Sequence, residues 1–167
     1  MAKKKKLKGE FGKDPYYPMV GFYFIVTFDK ISYKADSKFR EVSGITMETE
    51  GGETIKEGGQ NMFSYQLPGR TKYSDLELKR GLLTKHSALT GWCKKVIQND
   101  YTQKIELKDV FVKLMNEKGE AVMTWQFYNA YPKKMDISSF NSTSTGDSSI
   151  VVQSITLCYE YFDVIKS

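Results

Sequence analysis

The chain has 167 residues, 40% apolar and 14% aromatic, with 25 Lys plus Arg against 20 Asp plus Glu and a formal charge of +5. That length suits one domain with a substantial core, and the apolar content excludes a disordered body. Residues 1–13 hold six lysines and one glutamate, which leaves 19 charges of each sign in residues 14–167, so a basic nucleic-acid-binding surface on the fold itself is disfavoured.

Lys3–Lys6 open a polar arm, residues 1–18, punctuated by Pro15 and Pro18. Leu7 is followed at once by Lys8, so no apolar core of a signal peptide is expected. The longest apolar run, Met19–Phe28, is about half of a membrane-spanning helix, and no membrane insertion is expected. From Val20, residues Phe22, Phe24, Val26 and Phe28 line one face of a strand, and Tyr23, Ile25 and Thr27 line the other. Both faces are largely apolar, so the strand should be covered on both sides. Residues 39–50 alternate again, with a bulge expected at Gly44. Gly51-Gly52 and Gly58-Gly59 then enclose Glu53–Glu57, a mobile connection before the strand pattern resumes over Met62–Leu67. The pair makes a long hairpin, and Pro68-Gly69 predicts a turn after it.

Leu76 and Leu78 mark a short strand ended by Gly81. Leu89, Trp92, Cys93 and Val96 recur at i, i+3, i+4 and i+7, which predicts a helix with Ser87 as its N-cap. Ile105–Met115 reads as a strand, Asn116–Gly119 as a hairpin turn, and Val122–Tyr128 as the return strand. Met123, Trp125 and Phe127 share one side of it, and Trp125 is expected in the core. Tyr131-Pro132 should break that strand. Phe140–Ser149 is a polar loop, and a last strand runs from Ile150 to about Phe162. The fold class is α+β, mainly β: an antiparallel barrel or sandwich with one flanking helix and a long extended hairpin. Residues 19–167 form its single domain.

Catalytic chemistry finds little to stand on. His86 is the only histidine, and a neighbouring Ser87 is no triad. One histidine and two distant cysteines, Cys93 and Cys158, give no zinc spacing, and both thiols read as small buried hydrophobes in a reducing compartment. The glycine pairs lack the phosphate-loop pattern. The chain is expected to be no enzyme and to need no cofactor or metal.

Several segments, in order, resemble one family: Phe24–Phe28, Glu41-Val42-Ser43-Gly44, Glu57-Gly58-Gly59 to Leu67-Pro68-Gly69, Leu78-Lys79-Arg80-Gly81, Trp92, and Trp125–Lys133. The chain looks like a tail tube protein of contractile phages and phage-like contractile injection systems, related to the inner tube protein of type VI secretion. The resemblance covers roughly residues 19–162. It implies a subunit that forms hexameric rings with copies of itself, stacked into a hollow tube that a contracting sheath drives through a target envelope. Sheath protein, baseplate hub and spike, and tube terminator would be partners, and effector cargo could occupy the lumen. Synthesis in the bacterial cytoplasm and residence in an assembled particle, extracellular or cell-anchored, are implied too.

The same resemblance makes the hairpin the contact between subunits and rings: Glu50, Gly51, Gly52, Glu53, Thr54, Ile55, Lys56, Glu57, Gly58, Gly59, Gln60 and Asn61. Tyr23 and Ile25 join them as the outer face of a strand needing cover. Two features depart from the family: the lysine-rich start lies outside its pattern, and Val151-Val152-Gln153 stands where family members often place an acidic residue. A phage tail tube conducting DNA is the nearest alternative. A monomeric β-sandwich that binds glycans or nucleic acid is the alternative from another class.

Overall fold

The computed structural model describes residues 23–31, 34–55, 65–83, 87–99, 104–138 and 150–166. Its strands are β1 (Phe24–Phe28), β2 (Glu41–Ser43), β3 (Met47–Ile55), β4 (Tyr65–Tyr73), β5 (Leu76–Gly81), β6 (Lys108–Met115), β7 (Ala121–Ile137), β8 (Val152–Cys158) and β9 (Phe162–Lys166). A single turn of 3-10 helix, Lys34–Ser37, follows β1, and helix α1 spans Ala88–Ile97.

Strand β7 organises the body. Its first half pairs with β6 on one side and β9 on the other, while Tyr131–Ile137 pair with β8. Two four-stranded antiparallel layers therefore share it, β1-β6-β7-β9 and β7-β8-β5-β2. The bend between them lies at Asn129, whose φ is +53° and whose side chain donates to Glu160 Oε2 at 2.6 Å. Asn tolerates the left-handed region better than other non-glycine residues. The result is a sandwich; the barrel alternative does not close.

Inward residues of both layers form one core. Val26, Val110, Phe127, Leu76, Leu78, Ile155 and Leu157 are fully buried, as are Leu89 and Cys93 of α1. The helix obeys its sequence pattern: Ser87 Oγ caps it by accepting from Thr90 N at 3.1 Å, and Trp92 reaches the core beside Phe28, with ring centroids 6.3 Å apart. Its indole N–H donates to Glu106 O at 2.8 Å. Cys93 and Cys158 are both free thiols, and burial pushes Cys93 up to about 12.

Five local expectations are corrected. Residues 39–50 are not one bulged strand: the chain breaks at Gly44, where φ is +86° and a Cβ would stand 2.0 Å from Asp75 O. Pro68-Gly69 forms no turn but lies inside β4, beside a register shift against β3. Tyr131-Pro132 does not end β7, because Pro132 sits next to a bulge on the half of β7 that has one neighbour among the described strands; proline is tolerated at such edge and bulge positions. The last strand is two, β8 and β9, parted at Tyr159–Tyr161 opposite the Asn129 bend. Trp125 is only half-buried, while Phe127 is the core residue of that face.

Candidate assembly interface

The hairpin β3–β4 stands apart from the sandwich as its own two-stranded sheet. It is rooted by Tyr73, whose ring meets Phe162 edge-on at 5.6 Å and Tyr159 at 6.0 Å. Beyond this root, Met47–Gly51 on one strand and Leu67–Lys72 on the other are exposed without exception. Met47 is 62% and Leu67 49% accessible. A two-stranded ribbon with both faces in water is marginal by itself.

Its two strands cross unusually close. A Cβ at Gly52 would meet Leu67 O at 1.9 Å, and one at Gly69 would meet Glu50 O at 2.6 Å. These glycines sit where the register shifts between Thr49 and Thr54, an irregularity of the kind that increases strand twist. Their role is therefore close backbone approach within a strand pair, where a mobile connection at Gly52 and a turn at Gly69 were expected. Glu48 lies opposite Lys72 in the register.

A second candidate contact lies at the margin of the sandwich. In the layer β1-β6-β7-β9, β1 and β9 are the two outermost strands. Asp29 N donates to Asp109 O and Tyr128 N to Tyr161 O. By antiparallel alternation, the N–H and C=O of Val26 in β1 and of Val164 in β9 point away from the layer, but Val26 is fully buried and only the β9 edge is exposed. Val164 and Ile165 are 48% and 43% exposed. An exposed apolar edge such as that of β9 can template pairing with another chain.

Of the sequence-predicted contacts, Glu50, Gly51 and Gly52 lie on the exposed arm. Glu53, Thr54 and Ile55 continue β3, with Thr54 and Ile55 opposite Gln66 and Tyr65. Lys56, Glu57, Gly58, Gly59, Gln60 and Asn61 lie outside the described residues, as does His86. Tyr23, 42% exposed, and half-buried Ile25 project from the uncovered face of β1. Within the described residues of a single chain, that face of β1 is left needing cover, as expected of Tyr23 and Ile25.

Sequence reasoning missed β9 as a separate edge, because neither glycine nor proline marks the break at Tyr159–Tyr161. It also missed the arm residues Met47, Leu67, Arg70 and Lys72. Among the described residues no group of His, Cys, Asp or Glu could hold a metal ion, and no helix is long and apolar enough to cross a membrane.

The sequence profile of the family described as T4-like virus tail tube protein gp19 matches residues 20–163. No curated protein matches the sequence. Among solved structures, the chain resembles one in the sheath-tube complex of an extracellular contractile injection system, PVC, in its extended state. That match has 26% identity and a TM-score of 0.74, covering 92% of this chain and 95% of the other. A chain in the six-fold symmetrised baseplate of the anti-feeding prophage matches at 25% identity and TM-score 0.76, covering 90% and 97%. Another, in that particle's tube terminating cap, matches at 27% and 0.73, covering 90% and 93%.

Proposed function

This chain belongs to the T4-like virus tail tube protein gp19 family, and from that premise we propose how it builds the inner tube of a contractile injection system. The subunit role itself accords with likeness over nine-tenths of the chain to tube-containing injection particles. Residues 19–167 act as one tube domain and residues 1–18 as an appended arm. Copies close into hexameric rings by pairing β1 of one subunit with β9 of the next. Such head-to-tail contact generates a ring when its rotation closes. Six four-stranded layers then make one continuous wall around a lumen that carries or conducts cargo. The exposed β3–β4 arm reaches a neighbouring subunit or ring, which covers the faces it leaves in water.

The observation that carries this reading is the exposed edge of β9 at Val164, on the side of the layer opposite to β1. Sheath, baseplate and terminator proteins are the partners, since the similar chains sit in sheath-tube, baseplate and cap assemblies. The tube works as piston and conduit within an extracellular particle, without catalysis of its own.

Negative-stain microscopy of the purified protein tests it. Six-fold rings or hollow tubes are expected, and a monomer persisting at high concentration would overturn the reading. Val164→Pro sharpens the test, because that N–H is not used by β7 and its loss leaves the β7–β9 ladder intact. The variant should fold and fail to form rings; unchanged rings would move the subunit contact away from β9.

A further inference from the structure

The lysine-rich start is the one marked feature of the sequence that tube building leaves without a task. Its charge of +5 accompanies a body that is neutral as a whole. The outward face of the layer β1-β6-β7-β9 is uncovered by any described helix or strand, since α1 packs on the core side with Leu89, Trp92 and Cys93.

That face changes character along its length. Toward the β7 bend it carries Tyr128 and Tyr161, stacked with ring centroids 4.5 Å apart and planes 20° from parallel. Asp109 and Asp163 lie close enough to act on the Tyr128 phenol, and Glu160, next to Tyr161 in the chain, is held by Asn129. Asp109 accepts from Asn129 N at 3.2 Å and from Gln126 Nε2 at 3.4 Å, and Glu160 accepts from Asn129 Nδ2 at 2.6 Å. None of the three has an ion-pair partner among the described residues. Of the nearby cations, Lys30 stands 3.7 Å from Asp29, and Lys113 lies in the register row beyond Gln126. Carboxylates around exposed aromatic faces suit ammonium groups twice over, by charge and by cation–π attraction.

Reach allows the two to meet. The described chain begins at Tyr23, beside the Asn116–Gly119 turn at the other end of this layer. From there to the stack is about 20 Å along the strands, whereas the stretch back to Lys8 can extend to roughly 50 Å. Tethering also holds the segment at an effective concentration of about millimolar.

We propose that the segment Lys3–Lys8 docks on this face of its own subunit, its ammonium groups against Asp109, Glu160 and Asp163 and over the Tyr128–Tyr161 stack. The contact belongs to the free subunit and stands whether or not tubes form.

The test is zero-length carbodiimide coupling of lysines to carboxylates in the full-length protein, isolated as its lowest oligomer from an equal mixture of 15N-labelled and unlabelled chains. Linked peptides are then mapped by mass spectrometry. The expected links join Lys3–Lys8 to Asp109, Glu160 or Asp163 within single-isotope peptides. Their yield should fall roughly ten-fold in 1 M salt, where the Debye length is about 3 Å. The double variant Glu160→Gln, Asp163→Asn should lower the yield to Asp109 as well, with an unchanged circular dichroism spectrum. Links in mixed-isotope peptides would make a second copy the occupant and overturn the proposal. Links scattered over body carboxylates by exposure alone, or indifferent to salt, would overturn it also.

Discussion

Arg80 Nη1 donates to Asp36 Oδ1 at 2.7 Å, with the two side chains only 2% and 1% exposed. The pair is not isolated. Arg80 also donates to Gln153 Oε1 at 3.0 Å, Ser87 Oγ at 2.8 Å and Thr90 Oγ1 at 3.0 Å. Asp36 accepts from Ser87 Oγ and, at 3.3 Å, from Leu89 N. One guanidinium thus ties the 3-10 turn after β1, strand β8 and the N-terminus of α1 together. Asp36 supplies the carboxylate of this network and Gln153 a neutral amide oxygen.

Breaking that pair from either side should be costly, because the survivor is left buried and uncompensated. Arg80→Ala and Asp36→Ala are each expected to lose about 3–5 kcal/mol in urea denaturation. A loss below 1 kcal/mol in both would show that water reaches the site.

The pair also sets an acid limb. Burial by itself would raise Asp36, but the hydrogen bonds from Ser87, Arg80 and the Leu89 N–H, with the charge of Arg80, outweigh it and hold the carboxyl below its ordinary value. A depressed carboxylate contributes stability that is complete above the unfolded-state value and is lost as pH falls through the folded one. Asp36→Asn should therefore lie well below wild type at neutral pH and converge on it below about pH 4. Denaturation midpoints measured from neutral pH downward check this, and parallel curves would refute it.

In the core, Phe127 is fully buried and meets Tyr159 edge-on at 4.9 Å. Phe127→Ala is expected to cost about 3–5 kcal/mol, and Trp125→Ala, at a half-buried position, distinctly less. The reverse order would mean that the face of β7 is misassigned.

Tyr159 offers a change in the other direction. Its hydroxyl is buried with no hydrogen-bond partner among the described residues, and burial pushes the phenol up to about 12. Removing an orphaned hydroxyl relieves its desolvation, so Tyr159→Phe should be neutral or stabilising by up to about 1 kcal/mol. A clear fall in thermal midpoint would reveal a partner for it.

The arm separates folding from assembly. Gly52→Val places a side chain into the Leu67 carbonyl, a backbone contact that cannot swing aside. Since β3 and β4 pack chiefly on each other, the sandwich should melt as before while rings or tubes are lost. Wild-type tube formation by microscopy would remove the arm from the interface.

Much of the body is legible in the linear pattern. The helix follows from the 3.6-residue spacing of Leu89, Trp92, Cys93 and Val96, and its cap from the hydroxyl of Ser87. Strands β1, β5 and β6 follow from period-two alternation, because one face of each meets the core. Prolines and glycines misled where neighbours excuse them. Pro132 lies at a bulge on a half-strand with one neighbour among the described strands, and Gly52 and Gly69 mark two backbones in near contact. The Arg80 network was illegible, since its members are 44, 7, 10 and 73 residues from Arg80.

The charge arithmetic survives intact: a neutral body and a +5 segment are properties of composition, independent of how the chain folds. Residue order likewise determined the β-rich class and the tail tube resemblance, because alternation and turn chemistry act between near neighbours. Only the tertiary structure decided which strands are outermost, that β7 serves two layers, and that an acidic aromatic face lies within reach of the lysines. Those are relations between residues distant in the chain, fixed by hydrogen-bond register and packing, which no local pattern encodes.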